Sequence, residues 1–111
     1  MKPYKPIIKE KKLLKEMAYI GNVGQLEIQV YTDHNPPHFH VVKKDEFEVT
    51  INIKTLKTIN YKWQKNNKII SSSELQKIIL WINKPYIKDK EISNLRAIKI
   101  IWGSLNPNKK I

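Results

Sequence analysis

Apolar and polar residues alternate along three successive stretches near the middle of the chain. A period of two is typical of a strand that has one face in the core. The pattern predicts strands at about 26–32, 38–43 and 47–53, which we expect to pair as an antiparallel sheet. The apolar positions of the first and third stretches are Leu26, Ile28, Val30, Phe47, Val49, Ile51 and Ile53.

The register follows from the rule that residues facing each other across two strands lie on the same side of the sheet. If residues 44–46 form a hairpin loop, Phe39 and Val41 join the core. His38 and His40 then lie on the opposite face, which is polar and could be open to solvent or covered by another chain. The predicted facing pairs are Val41 with Val49, Phe39 with Ile51, and Val30 with Val41.

The first part of the chain has apolar residues at helical spacing. Leu13, Leu14 and Met17 recur among lysines and glutamates, which predicts a short amphipathic helix from Ile8 to about Tyr19. Two glycines follow within five residues and are expected to end this helix.

The second half of the chain contains two further helical patterns. Ser71 and Glu74 have the spacing of a capping box, and they open a predicted helix at about 73–83 that ends before Pro85. Apolar residues recur at helical spacing over 95–102. A helix is favoured there, although the β-branched residues of this segment could instead form a strand.

Together these patterns predict an α+β fold. We expect an antiparallel sheet of three or four strands, with an N-terminal helix and one or two C-terminal helices packed on one face, the helix at 73–83 on the side of Phe39 and Val41. A chain of 111 residues accommodates one domain with a modest core. Residues 1–20 are expected to be a variable N-terminal extension, and residues 106–111 a mobile tail.

Composition narrows the classes of protein to consider. The chain has no cysteine, which excludes disulfides and thiolate zinc sites. Charged residues interrupt every apolar run before it reaches the length of a secretory or transmembrane segment. We therefore expect a soluble, cytoplasmic protein without a membrane partner.

The charge balance is strongly basic, with 21 basic residues against 10 acidic ones and a formal net charge of +11. An AT-rich genome would account for many lysines, but it would not by itself suppress acidic residues. The surplus favours a polyanionic partner, either RNA or DNA, or an acidic protein. Arg96 is the only arginine, so lysine contacts to phosphate, which carry no sequence information, fit better than bidentate recognition of guanine.

All three histidines lie within residues 33–41. His38 and His40 are two positions apart on a predicted strand, which places them on one face roughly 6.6 Å apart. His34 precedes two prolines, and an extended path would leave it roughly 12 Å from His38, too far for a shared metal ion. It can join the other two only if the proline segment turns, for example through a cis-proline bond.

Imidazole is the side chain best suited to proton transfer near neutral pH. We expect His38 and His40 to be the catalytic pair, without a cofactor, while His34 shapes the loop with Asp33 as its hydrogen-bond partner. The other residues expected to bind or orient a ligand are Tyr31, Thr50 and Lys43. A divalent metal held by His34, His38 and His40 is the alternative, and purely structural hydrogen bonds around the proline link are a further one.

The stretch around the histidines resembles a known family. The residues that carry the similarity are Tyr31, the run Asp33-His34-Asn35-Pro36-Pro37-His38-Phe39-His40-Val41, and further on Trp81 and Trp102. This pattern is similar to that of the small bacterial proteins grouped as domain of unknown function 4160. The similarity extends over about 24–104. It implies no agreed activity, but it implies membership of toxin–antitoxin-like pairs with a small partner. The chain departs from the pattern in its N-terminal extension and in residues 43–46, where a glycine-containing hairpin is usual.

Two classes of function follow. The chain is either an RNA-targeting toxin with a ribonuclease-like histidine pair, or a non-catalytic module that docks an acidic, antitoxin-like partner; a histidine metal-binding protein is a third possibility. Residues 59–63 alternate aromatic or apolar side chains with polar ones and could form a fourth strand that stacks bases. Core packing is the commoner role for such aromatic residues.

Overall fold

The alternating stretches of the chain form one five-stranded antiparallel sheet with the strand order β1-β2-β3-β4-β5. A computed structural model describes residues 16–109. The sheet strands are β1 (Met17–Val23), β2 (Leu26–Tyr31), β3 (His38–Lys43), β4 (Phe47–Asn52) and β5 (Thr58–Gln64). They are followed by helix α1 (Ser72–Ile82), a small hairpin of β6 (Pro85–Tyr86) and β7 (Asp89–Ser93), and helix α2 (Asn94–Leu105).

The predicted register is confirmed for one strand pair and wrong for the other. Val41 faces Val49 and Phe39 faces Ile51 across β3 and β4, and residues 44–46 form the connecting turn. Across β2 and β3, however, Ile28 rather than Val30 faces Val41. A shift of two residues keeps every side chain on its face. The apolar pattern therefore could not distinguish the two registers, which depend on the length of the proline turn.

The predicted N-terminal helix is wrong where the structure describes it. Residues 17–23 form the edge strand β1, which pairs with β2 through a turn that has Gly24 at a φ of 60°. Gly21 lies inside this strand, where an added Cβ would be 3.1 Å from Cζ2 of Trp81. The two glycines thus permit a hairpin turn and a close helix contact instead of ending a helix. Residues 8–15 of the predicted helix lie outside the described residues.

The expected fold class also needs correction, because the sheet has five strands, a separate two-stranded sheet is present, and both described helices follow the main sheet. Residues 95–102 belong to α2, so the helical interpretation is confirmed there. Ser71 caps α1 with the predicted capping box. No helix among the described residues is long and apolar enough to cross a membrane.

The core lies between the sheet and the two helices. Phe39 and Val49 are fully buried in it, as the register required. α2 contacts β1 and β2, and α1 contacts β1 and α2. The helices contribute Ile78, Ile82, Ala97, Ile98 and Trp102 to the same cluster. This arrangement leaves the other face of the sheet to the histidines.

Candidate histidine–aspartate site

Strand β3 is buried on both of its faces. Phe39 and Val41 face the apolar core, while His38 and His40, on the other face, are only 5% and 2% exposed. The polar face was expected to be solvated or covered by another chain. It is instead closed around the histidines by residues of the same chain.

The turn between β2 and β3 brings Asp33 back against the start of β3. Its Asn35–Pro36 peptide bond is cis, so the chain takes the turned path and not the extended one. The buried side chain of Asn106, just after α2, anchors this turn. The Asp33 backbone N–H donates to Asn106 Oδ1 at 2.8 Å, and Asn106 Nδ2 donates to the Tyr31 carbonyl at 3.1 Å.

The carboxylate of Asp33 lies at the centre of the three histidines. Its Oδ1 accepts a hydrogen bond from the His34 backbone N–H at 2.9 Å and lies 2.8 Å from His34 Nδ1. Its Oδ2 lies 3.1 Å from Nε2 of His38 and 3.5 Å from Nε2 of His40. The expected contact between Asp33 and His34 is therefore present. The pattern of the sequence did not indicate that the same carboxylate would also meet His38 and His40.

Both buried imidazoles are oriented through their Nδ1 atoms. His38 Nδ1 lies 2.7 Å from the Pro36 carbonyl oxygen, and His40 Nδ1 lies 2.8 Å from Oε2 of Glu48. A carbonyl and a carboxylate can only accept, so each Nδ1 carries a hydrogen and donates it. In the neutral form of each ring, Nε2 is then an acceptor directed at Asp33.

The surroundings of His40 favour its neutral form. Burial lowers the pKa of its imidazole, and the hydrogen bond to Glu48 offsets this only in part. Its Nε2 is buried and makes no hydrogen bond, because the 3.5 Å contact with Asp33 does not satisfy hydrogen-bond geometry. A buried polar atom without a partner is costly and calls for an explanation.

Aromatic rings surround the two imidazoles. The ring centroids of Tyr31 and His40 are 4.3 Å apart, and those of His38 and Trp102 are 5.3 Å apart. Burial, together with Glu48 and Glu27, raises the pKa of the Tyr31 phenol. Its hydroxyl donates to Gln29 Oε1 at 2.9 Å, so Tyr31 packs and orients rather than transferring protons near neutral pH.

A small cavity of about 60 Å³ opens beside the cluster. His38 and Asp33 lie in its wall, whereas His40 does not. A space of this size holds a few water molecules or one ion, but no nucleotide base. The remaining lining residues are His34, Pro36, Thr50, Ile59, Asn60 and Lys62.

Of the other predicted site residues, Thr50 and His34 line this cavity and Lys43 does not. Thr50 lines it and donates to Oδ1 of Asn60 at 2.7 Å. The side chain of His34 is 79% exposed near its mouth. Lys43 is elsewhere, since its Nζ lies 2.9 Å from Oε2 of Glu74 on α1. That hydrogen bond raises the pKa of Lys43.

Three contributors to the site carried little or no signal in the sequence. Glu48 occupies a polar position of a predicted strand, which gives no sign of a contact with a histidine, and Asn106 was assigned to the tail. Trp102 belongs to the helical pattern at 95–102, which does not indicate a contact with His38. An asparagine directly after a helical pattern is a common cap, which is the one signal that could have identified Asn106.

Comparison with known proteins identifies a family whose function is not known. Residues 26–91 match the profile of a domain of unknown function, DUF4160. The match runs from β2 into β7 and includes Asp33, the histidines and Glu48. Searches of curated proteins and of solved structures gave no match. Because the match covers more than half of the 111 residues, the chain belongs to the DUF4160 family.

Proposed function

We propose that this protein binds single-stranded nucleic acid, with RNA as the target, along the edge strand β5. The observation that carries the proposal is the exposure of β5 next to the histidine cavity. Ile59 and Trp63 are 42% and 41% exposed on this strand, and Lys62 lies between them on the cavity wall. An aromatic face beside a lysine suits an unpaired base and its phosphate.

The indole of Trp63 is oriented for stacking. Its Nε1 donates to Oε1 of Glu48 at 3.3 Å, which restrains the ring while leaving much of it in solvent. Restraint before binding reduces the entropy lost when a base stacks on the ring. Tyr61, the other aromatic residue of β5, packs edge-on against Phe47 in the core, with ring centroids 5.9 Å apart. The two aromatic residues thus have different roles.

Charge supports a polyanion as the occupant. The chain carries a net charge of +11, and lysines at 57, 62, 65 and 68 lie exposed on β5 or on the turns beside it. Such contacts make binding dependent on salt and tolerant of sequence. In a toxin–antitoxin-like pair, an acidic partner would cover the same edge. The exchange of protons between His38 and His40 stays a prediction.

The test uses labelled single-stranded RNA, single-stranded DNA and duplex RNA over a series of salt concentrations. Trp63→Ala should weaken binding of single strands roughly tenfold, since stacking contributes about 1–3 kcal/mol per base. Tyr19→Ala, which removes an exposed aromatic ring from the opposite edge strand, is the matched control. Duplex RNA should bind more weakly because its bases are already stacked.

Lysine variants test the electrostatic contribution to nucleic-acid binding. Lys62→Ala should lower affinity and reduce the slope of log affinity against log salt by about 0.7. Lys90→Ala on β7 makes the same change in net charge at another exposed site and should leave the slope nearly unchanged. Equal effects of the two lysine variants, or of Trp63→Ala and Tyr19→Ala, would refute the assigned surface. A lack of binding even at low salt would favour an acidic protein docked on the β5 edge.

A further inference from the structure

Three acceptor atoms converge on one point behind the cavity wall: Oδ2 of Asp33 and the Nε2 atoms of His38 and His40. We propose that they bind a single divalent transition-metal ion. The inference is independent of nucleic-acid binding, because it rests only on the buried cluster.

The spacing of the three residues fits one ion. One ligand atom from each residue lies within 4.8 Å of the others, and the two contacts to Oδ2 measure 3.1 and 3.5 Å. A tetrahedral ion with bonds of about 2.0–2.1 Å keeps neighbouring ligand atoms roughly 3.3 Å apart. The two contacts to Oδ2 are already close to this spacing, and the imidazole nitrogens lie within 4.8 Å of each other, so an ion fits once the rings draw together around it.

The arrangement of lone pairs in the cluster suits a metal cation. Since both Nδ1 atoms donate, two nitrogen lone pairs and a carboxylate oxygen face one another. One proton can join His38 to Asp33, but Nε2 of His40 would still be buried without a hydrogen bond. A metal ion accepts all three lone pairs and gives this nitrogen its partner.

Each proposed ligand is backed by the kind of outer partner that metal ligands usually have. His38 is held by the Pro36 carbonyl and His40 by the Glu48 carboxylate. The His34 backbone N–H holds Oδ1 of Asp33, which leaves Oδ2 directed at the histidines. Carboxylate–histidine–metal arrangements of this type fix the ring and increase its basicity as a ligand.

The ligand set also indicates the class of ion. Two imidazoles and one carboxylate suit Zn²⁺, Fe²⁺, Co²⁺ or Ni²⁺, whereas Mg²⁺ and Ca²⁺ prefer oxygen ligands. Three protein ligands leave at least one coordination position open. The adjacent cavity can supply water to it.

The test is metal titration of the purified full chain after treatment with chelator. Zn²⁺ should bind with a stoichiometry of one by calorimetry, and Co²⁺ should give a visible absorption spectrum of a low-coordinate site. His40→Gln and Asp33→Asn should lower Zn²⁺ affinity at least 100-fold. Asp89→Asn, which neutralises an exposed carboxylate on β7, is the matched control for Asp33→Asn and should change affinity less than threefold.

Glu48→Gln separates a metal site from a structural cluster. It keeps all three ligands, removes the carboxylate behind His40, and should weaken Zn²⁺ binding about 10- to 100-fold. Circular dichroism verifies that each variant is folded. If the folded wild type bound neither ion at 100-fold molar excess, or if Asp89→Asn lost binding as completely as Asp33→Asn, the proposal would be overturned. A proton shared by Asp33 and His38 would then account for the cluster.

Discussion

Replacing Asn106 with alanine should destabilise the fold and loosen the site together. Asn106 is 2% exposed, and its amide joins the end of α2 to the turn that carries Asp33. The substitution removes three hydrogen bonds, from the Asp33 N–H and to the carbonyls of Tyr31 and Trp102. The alanine methyl group buries little apolar surface to offset this loss.

The magnitude follows from the groups left behind. The Asp33 N–H bond is buried, and a buried donor without a partner costs about 1–3 kcal/mol. The Tyr31 carbonyl is only partly buried, so its loss should cost about 1 kcal/mol. The Trp102 carbonyl still accepts from the backbone N–H of residue 106 and adds little. We expect a loss of about 2–4 kcal/mol, a large share of the 5–15 kcal/mol typical of a domain.

The assay is urea unfolding of the wild type and the variant, followed by circular dichroism. Asn108→Ala is the matched control, because Asn108 is exposed two residues further along the chain. We expect it to change the free energy of unfolding by less than about 0.5 kcal/mol. If the two variants were equally stable, the contact between Asn106 and the Asp33 turn would contribute nothing, and the reasoning would be refuted.

Two further predictions concern the helices. Burial raises the pKa of Glu74, but hydrogen bonds from Lys43 and Ser71 outweigh it and lower the pKa. Glu74→Gln should therefore lower the free energy of unfolding by about 0.5–1 kcal/mol near neutral pH, allowing for solvent screening. Urea titrations of the wild type and the variant should show this difference vanish as the pH falls through the lowered pKa of Glu74, below 4.5. Gly21→Ala should lower the free energy of unfolding by about 1–3 kcal/mol, because its Cβ would crowd Trp81. Gly103→Ala, with open space in α2, should raise it by about 0.5–1 kcal/mol. A higher melting temperature for Gly21→Ala than for Gly103→Ala would contradict the packing argument.

The central strands could be predicted because their alternation matches the burial observed. The pairing of Phe39 with Ile51 also depends on a turn of three residues, whose length the sequence shows. The pairing of β2 with β3 depends on a longer proline turn. Its geometry includes a cis bond and the contact with Asn106 from the far end of the chain. No local pattern contains that contact, and apolar alternation is equally compatible with registers that differ by two residues.

The N-terminal strand shows a different limit. Met17 has helical spacing with leucines that precede it, but it is 49% exposed, and Ile20 is the residue that enters the core. β1 pairs with β2 along its whole length, with one irregularity between Tyr19 and Gly21, and this pairing outweighs a weak local preference for helix. Tertiary pairing commonly overrides propensity in so short a segment.

The polar face of the sheet explains why the site was predicted only in part. Alternation separates core residues from the rest, and the rest is normally taken to face solvent. Here the second face is buried too, because the Pro36 carbonyl and Glu48 accept from the Nδ1 atoms of the histidines, and the Asp33 carboxylate lies against their Nε2 atoms. The sequence could place His38 and His40 side by side. It could not show that their Nδ1 atoms would be occupied and their Nε2 atoms directed at one carboxylate, and it is this orientation that favours a metal ion over a freely titrating acid–base pair.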